Sequence, residues 1–427
     1  MSSIWNRLKR SALFKDSVWA VSGNGIGNFL MLLSGILIAR YLGKDLYGEY
    51  GIVKSTMFLA ALFATFGLGD TSTKFVAEYL QKDQQDVKGI IIASLKIVLC
   101  FSLTICTLLL FFSPQIAEFV HEPRLAVPFR FLGVIIVFRA LNTVSAGILG
   151  GFKDYKRLGK NNVCGGVIMI SVAVPITSMF GLKGALIALL FSQVFLCFAN
   201  LIAVYKRKKS IIGICKKNHE RELIAFSYPF ALNEFIYTLT AWGGTLLLTK
   251  YSSLGELGMY TACTQWNSII LFMPGLLGNV ILSYLSTTAI GDRNTHDSLI
   301  RKMLLINFVS TLIPLLLVVV LSPFIARYYG PTFEGMKLVL CISVLGTLFV
   351  CLTRVYQSNL ISEGKKWLAF KIRSSYNFLN LFVIYVILRL TNGVNAALNL
   401  VIAALFIDLL SLFLYMFFYY RGKTKTV

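Results

Sequence analysis

The sequence predicts an all-α integral membrane protein of twelve transmembrane helices, and three observations carry that prediction. The 427 residues are 56% hydrophobic and only 14% charged, with a mean hydropathy of +0.73. A soluble globular domain has about 45–50% apolar and about 25% charged residues. The apolar excess is also cut by charged residues into pieces near the ~20 residues that a helix needs to cross a bilayer. Finally, Lys and Arg alternate in density from one connecting segment to the next, as the positive-inside bias requires.

Taken in order, the spans fall near 17–39, 50–69, 89–112, 128–150, 162–181 and 184–205, then 223–249, 257–288, 303–326, 336–361, 371–388 and 394–418. The first apolar run continues from Val18 past Leu37 with no small-residue cleavage site after it, so it is expected to remain as a span. Residues 257–290 hold no charge and have Pro274 near their middle, where a kink is expected. Ahead of the first span, residues 4–14 place Ile4, Trp5, Leu8 and Ala12 on one helical face among basic residues. Residues 1–16 are therefore expected to form an interfacial helix on the cytosolic leaflet.

With the N-terminus inside, the cytosolic segments hold 28 Lys and Arg, against 8 on the opposite side. The bias alternates segment by segment and puts both termini in the cytosol. It also accounts for the net charge of +22, which in a soluble chain would suggest nucleic acid and here does not. The eight cysteines lie in apolar spans or basic loops without a C-x-x-C pair, and His121, His219 and His296 are far apart. A disulfide framework, a zinc site and a His-based catalytic cluster therefore lack support. A phosphate-binding G-x-x-x-x-G-K-[ST] loop is absent, and no soluble segment is large enough for an active site, so neither an ATPase nor another enzyme is expected.

Sliding the second half by about 210 positions aligns Arg40-Tyr41 and Gly48-Glu49-Tyr50 with Lys250-Tyr251 and Gly258-Met259-Tyr260. At nearly the same shift Ser113-Pro114-Gln115-Ile116-Ala117 meets Ser322-Pro323-Phe324-Ile325-Ala326, and the basic loop 153–160 meets 365–373. Several matches in order at one shift indicate a duplication. Six spans per half make the repeats parallel, related by an axis along the membrane normal. The expected organisation is a six-helix lobe at 17–205, a basic cytosolic linker at 206–222, a second six-helix lobe at 223–420 and a cytosolic tail at 421–427.

A charged side chain at the bilayer centre costs about 2.5–3.5 kcal/mol on insertion scales, so each one calls for a reason. Arg139 lies mid-span with Asn142 and Thr143 at i+3 and i+4, and Arg354 in the equivalent helix of the second half has Gln357 and Ser358 at the same spacings. Each trio shares one helix face. Lys54 lies just inside the second span and Lys96 inside the third, where it can snorkel. Glu234 and Asp408 are the acidic groups available to couple an ion, although for Asp408 a pairing that locks helices together is the favoured reading. Asn24 and Asn28 share a face of a glycine-rich first helix, where close helix packing competes with substrate contact. Asn233, Trp242 and Gln265 add the amide and aromatic groups that suit a sugar. Arginine and lysine in a low-dielectric lumen favour an anion, and guanidinium matches phosphate by bidentate hydrogen bonds. No cofactor is expected. The energy source is left among an H+ or Na+ gradient, the membrane potential and product removal.

The stretch Ile38-Ala39-Arg40-Tyr41-Leu42-Gly43 through Tyr47-Gly48-Glu49-Tyr50 resembles the first-hairpin signature of bacterial polysaccharide repeat-unit flippases. These are the Wzx-type members, serving O-antigen and capsule, of the multidrug/oligosaccharidyl-lipid/polysaccharide exporter superfamily. Gly67-Leu68-Gly69 with Lys74-Phe75, and Gly147-Ile148-Leu149 with Gly151 and Tyr155-Lys156, extend the likeness. The resemblance implies a V-shaped pair of six-helix bundles with alternating access, in the bacterial inner membrane. It also implies transfer of an undecaprenyl-pyrophosphate-linked oligosaccharide to the periplasmic leaflet, next to membrane lipids, a polysaccharide polymerase and assembly proteins. Arg139, Arg354 and Lys54 would then receive the pyrophosphate. A multidrug cation antiporter of the same superfamily needs carboxylates at mid-depth in the first lobe, where none stands. A lipid II-type flippase resembles a fourteen-span layout. A scaffold docking partners through its basic loops is the reading from another class.

Overall fold

The computed structural model describes residues 12–82, 84–209, 211, 219–276 and 293–424. The interfacial helix expected at 1–16 falls mostly outside these residues, as do most of the basic linker and the last three residues of the tail. The described chain is helical throughout, in the order α1 Ala12–Thr65, α2 Leu68–Lys82, α3 Gln84–Phe119, α4 Ala126–Gly151, α5 Tyr155–Lys209, α6 Glu220–Tyr251, α7 Leu254–Ile270, α8 Arg293–Tyr329, α9 Met336–Ser362, α10 Lys366–Leu390 and α11 Ala396–Thr424.

Seven of these helices are long and apolar enough to cross a membrane. Two of the seven, α1 and α5, reach 54 and 55 residues and cross twice. Each is broken by one glycine, Gly43 at φ 71° and Gly181 at φ 55°, conformations that an L side chain resists. Counting both limbs of α1 and α5 and adding α6, α7 and α10, the described helices match the expected twelve crossings. The connection anticipated at 40–49 is thus helical apart from Gly43. The break anticipated at Pro274 comes earlier, at Leu271, and helix resumes at 272–276 with Pro274 in its first turn. Proline is tolerated there, because the missing N–H has no partner to lose in a first turn.

Helix α2 is separate from the helices that flank it, a division that hydropathy along the chain does not predict. A turn at Phe66-Gly67 separates it from α1, and it is amphipathic. Its buried face holds Leu68, Thr71, Ser72, Phe75 and Val76, and Lys82 Nζ on its exposed side donates to Glu78 Oε1 at 2.6 Å. That bond holds the Glu78 carboxyl below the usual carboxylate range.

The chain forms two compact units, one of residues 1–42 and 52–242 and one of residues 43–51 and 243–427. The division falls within α6 and not in the basic segment near 206–222, and a nine-residue piece of α1 groups with the second unit. In the first unit α4 packs against α3, α5 and α2. Here α1 lies so close to α5 that a Cβ on Gly23 would sit 2.4 Å from Gly159 Cα. The start of α6 is tied in by Thr71 and Ser227, whose hydroxyls are 2.8 Å apart, and by the Lys96–Glu220 ion pair at 2.8 Å. In the second unit α9 is central, packed by α7, α8 and α11.

The duplication is visible in the helices themselves. In both units a long helix with an internal Ser-Pro (α3 with Pro114, α8 with Pro323) leads to a 3-10 turn opened by proline, Pro123–Leu125 or Pro331–Phe333. A helix of 26 or 27 residues follows, α4 or α9. Helices α3 and α8 are equally peripheral, with 22% of each apolar window buried, so their outward Phe and Leu face lipid.

Candidate functional site

In the first unit the second half of α1 brings Lys54 to Arg139 of α4. Both are half-buried, and their like charges interact. Phe58, one turn beyond Lys54, lies under the Arg139 guanidinium, with Cζ 5.0 Å from the ring centroid. Such a contact stabilises a cation by roughly 0.5–2 kcal/mol without neutralising it. Neither cation forms an ion pair with a carboxylate among the described residues. The result is a pair of positive groups held inside a membrane unit beside an aromatic ring, a setting that an entering anion would relieve.

Asn142 follows Arg139 by one turn, and its Oδ1 accepts from Asn200 Nδ2 at 2.7 Å, while Asn200 Oδ1 accepts from Asn161 Nδ2 at 2.7 Å. The Thr143 hydroxyl turns back to the Arg139 carbonyl at 2.9 Å and offers no donor outward. Phe58, Asn161 and Asn200 were not singled out from sequence. Phe58 stands four residues from Lys54, a spacing that could have flagged it, whereas the Asn200 contact crosses the Gly181 break and has no local signal.

The remaining predicted residues divide by what they touch. Asn24 Oδ1 accepts from Asn162 Nδ2 at 2.5 Å, so this amide joins α1 to α5 beside the Gly23 contact. Asn28 is exposed on the same helix. Trp242 donates its indole N–H to Thr56 Oγ1 at 3.0 Å and stacks on Phe119. It lines an apolar cavity of about 420 Å³ together with Leu59, Phe63, Leu108 and Phe112. Glu234 is exposed on α6 and interacts with Asp70, and the side chain of Asn233 lies outside the described residues. Lys96 is taken up by Glu220, in the ion pair at 2.8 Å.

In the second unit Gln265 is engaged at both ends. Its Oε1 accepts from Tyr47 at 3.1 Å, and its Nε2 donates to Tyr329. Those tyrosines are fully buried with Phe333, so the amide anchors the 43–51 segment within its unit. Arg354 is exposed on α9, with Nη1 3.6 Å from where a Cβ on Gly275 would lie. Asp408 accepts from the Tyr376 hydroxyl at 2.6 Å and faces a cavity of about 90 Å³ lined by Tyr260, Thr264, Asn267, Ser343 and Thr347. Thr264 and Thr347 donate their protons to backbone carbonyls, at 2.8 and 2.6 Å. Their lone pairs thus remain available beside the carboxylate. No group of three or more His, Cys, Asp or Glu suited to a metal exists among the described residues.

Residues 13–288 match the family described as polysaccharide biosynthesis protein. A "Putative O-antigen transporter" of Shigella flexneri is 22% identical over 83% of this chain and 86% of its own length. "Stage V sporulation protein B" of Bacillus subtilis strain 168 is 25% identical over 63% of this chain, and the match spans only 55% of that protein. Among solved structures, an inward-facing multidrug resistance MATE family transporter of the MOP superfamily superposes with a TM-score of 0.78 at 14% identity, covering 94% of this chain and 96% of that one. Lipid II flippase MurJ superposes with a TM-score of 0.71 at 17% identity, covering 92% and 86%. At such identities the structural likeness establishes the fold, while the sequence match covers well over half of the chain. The chain belongs to the polysaccharide biosynthesis protein family and has the helical transporter fold shared by MATE and MurJ.

Proposed function

We propose that the protein is a flippase for surface polysaccharide biosynthesis. It moves an undecaprenyl-pyrophosphate-linked oligosaccharide from the cytosolic to the periplasmic leaflet of the bacterial inner membrane, with both termini cytosolic. Two six-helix lobes alternate access to a lumen, and O-antigen or capsule repeat units are the substrate class. The observation that carries this reading is the Lys54–Arg139 pair, two half-buried cations with no carboxylate partner among the described residues. A pyrophosphate supplies the charge that this pair lacks. Moving it through bare hydrocarbon is opposed by a desolvation cost of tens of kcal/mol for an isolated ion. Arg354 is the corresponding group of the second repeat.

A cationic drug would be repelled by the same pair, which favours the flippase over the multidrug reading. A lipid II-type carrier shares the pyrophosphate chemistry and differs in the glycan. The Asp408 cavity is the candidate site for a coupling H+ or Na+, and Glu234 is the second acidic candidate. A polymerase and assembly proteins are the expected partners.

The test is export of surface polysaccharide in cells that depend on this protein. The Arg139→Ala/Arg354→Ala pair is expected to abolish export, with lipid-linked intermediate accumulating on the cytosolic side and drug resistance unchanged. Intact export with lowered drug resistance would instead identify a drug antiporter. Rescue of lipid II translocation by the unsubstituted protein would assign the other glycan class.

A further inference from the structure

Beside Arg139 lies a hydrogen-bonded chain of three asparagine amides with one direction. Asn161 of α5 donates to Asn200, and Asn200, also of α5 but beyond the Gly181 break, donates to Asn142 of α4. Asn200 is 1% exposed, which is costly for a carboxamide unless both of its ends are bonded, as they are here. The consequence appears at the far end. Asn142 uses its oxygen to accept from Asn200, so its Nδ2 hydrogens remain without an acceptor among the described residues. Asn142 is only half-buried, and this nitrogen is not among the enclosed polar atoms. Asn142 and Arg139 share a helix face at i, i+3. Two neutral N–H donors are therefore presented one turn from a guanidinium that has no ion-pair partner among the described residues.

We propose that Asn142 is an anion-binding group of the first unit, acting with Arg139 on one phosphoryl oxygen set, and that Asn200 is the positioning residue that turns its N–H donors outward. This rests on the anionic-substrate reading above and extends it, from a pair of point charges to a directional site. A guanidinium alone attracts any anion. An added amide donor at fixed distance favours one with several adjacent oxygens, such as pyrophosphate, over chloride. The order of the chain gives the positioning role physical content. Asn200 must donate to Asn142, because a group that only accepted at that position would pull the Asn142 nitrogen inward and leave its carbonyl oxygen facing the anion.

Asn200→Asp makes that change with little loss of volume. An aspartate there accepts from both Asn161 and Asn142 and reverses the Asn142 amide. The probe is inorganic pyrophosphate, titrated by calorimetry into the full-length protein in detergent, with thermal stability followed in parallel. Asn142→Ala is expected to weaken pyrophosphate binding about tenfold, the scale of one hydrogen bond to a charged group. Asn200→Asp is expected to weaken it at least as much while the protein stays folded. The double variant should lose less than the product of the two single losses, because each single change removes the same donor. If Asn200→Asp and Asn142→Ala bind like the parent while Arg139→Ala binds weakly, the amide chain is structural only and the anion reading stands. If Arg139→Ala also binds like the parent, the anionic site itself is in error. A strict product of losses in the double variant would overturn the positioning role and leave Asn142 as an independent contact.

Discussion

Asp408 makes a structural hydrogen bond beside the ion-coupling role proposed for it. Its bond from Tyr376 at 2.6 Å ties α11 to α10, while its carboxylate looks into a small cavity whose hydroxyls have turned their protons to the backbone. Lone pairs from Thr264 and Thr347 with a carboxylate are the ligand set that the proposed proton or small hard cation would need, and about 90 Å³ leaves room for waters beside it. Asp408→Asn keeps an oxygen for Tyr376 and removes the charge. In proteoliposomes, transport by this variant is expected to stop responding to an imposed pH or sodium gradient, with pyrophosphate affinity within about twofold of the parent. A retained gradient response would exclude Asp408 and leave Glu234 as the candidate. The Arg139 site behaves differently, since its cation is stabilised by Phe58 and not by an anion of the protein. A bound carboxylate there would compete with the anionic substrate proposed above, whereas the ring would not.

At the scale of elements, the first helix answers the question left by its glycines and asparagines. Gly23 and Gly27 place their α-carbons against Gly159 and Asn162 of α5, and Asn24 seals the contact through Asn162. The polar pattern of this helix is therefore a packing device at Asn24, while Asn28 one turn on stays exposed. Gly23→Leu would drive a side chain into the α5 backbone, which cannot yield as a flexible side chain can. We expect a loss of about 1–3 kcal/mol, the range for overpacking, seen as a lower thermal transition of the purified protein with pyrophosphate affinity unchanged in the folded fraction. A substitution with unaltered stability would mean that α1 and α5 separate freely. The helix breaks obey equally local rules. Gly43 and Gly181 sit where the chain reverses, at a φ that a β-carbon resists, so a turn that looked like a loop of several residues needs only one.

The proposed orientation, drawn from the charge asymmetry of the connecting segments, is open to direct test. In a variant whose eight cysteines are replaced, a cysteine at Lys156 should react with a membrane-impermeant maleimide only after permeabilisation, and one at Lys183 should react in intact cells. Both positions are exposed; Lys156 opens the first half of α5 and Lys183 lies just past the Gly181 break that ends it. The reverse labelling pattern would invert the topology. Twelve crossings, the doubled plan of the units and the positive-inside bias were all legible in the chain, because the bilayer imposes segment length and charge asymmetry on residues one stretch at a time. Arg139, Lys54 and Asp408 were legible as well, since a charge in an apolar run is conspicuous without knowing its neighbours. Tertiary structure alone decided what those charges meet: Phe58 under Arg139, Tyr376 on Asp408, and Gln265 held between Tyr47 and Tyr329 and so withdrawn from any lumen. It also decided the amide chain through Asn200, which joins α4 to both halves of α5. Such contacts depend on helix rotation and on pairings 32 to 218 residues apart, which hydropathy and charge along the chain do not encode.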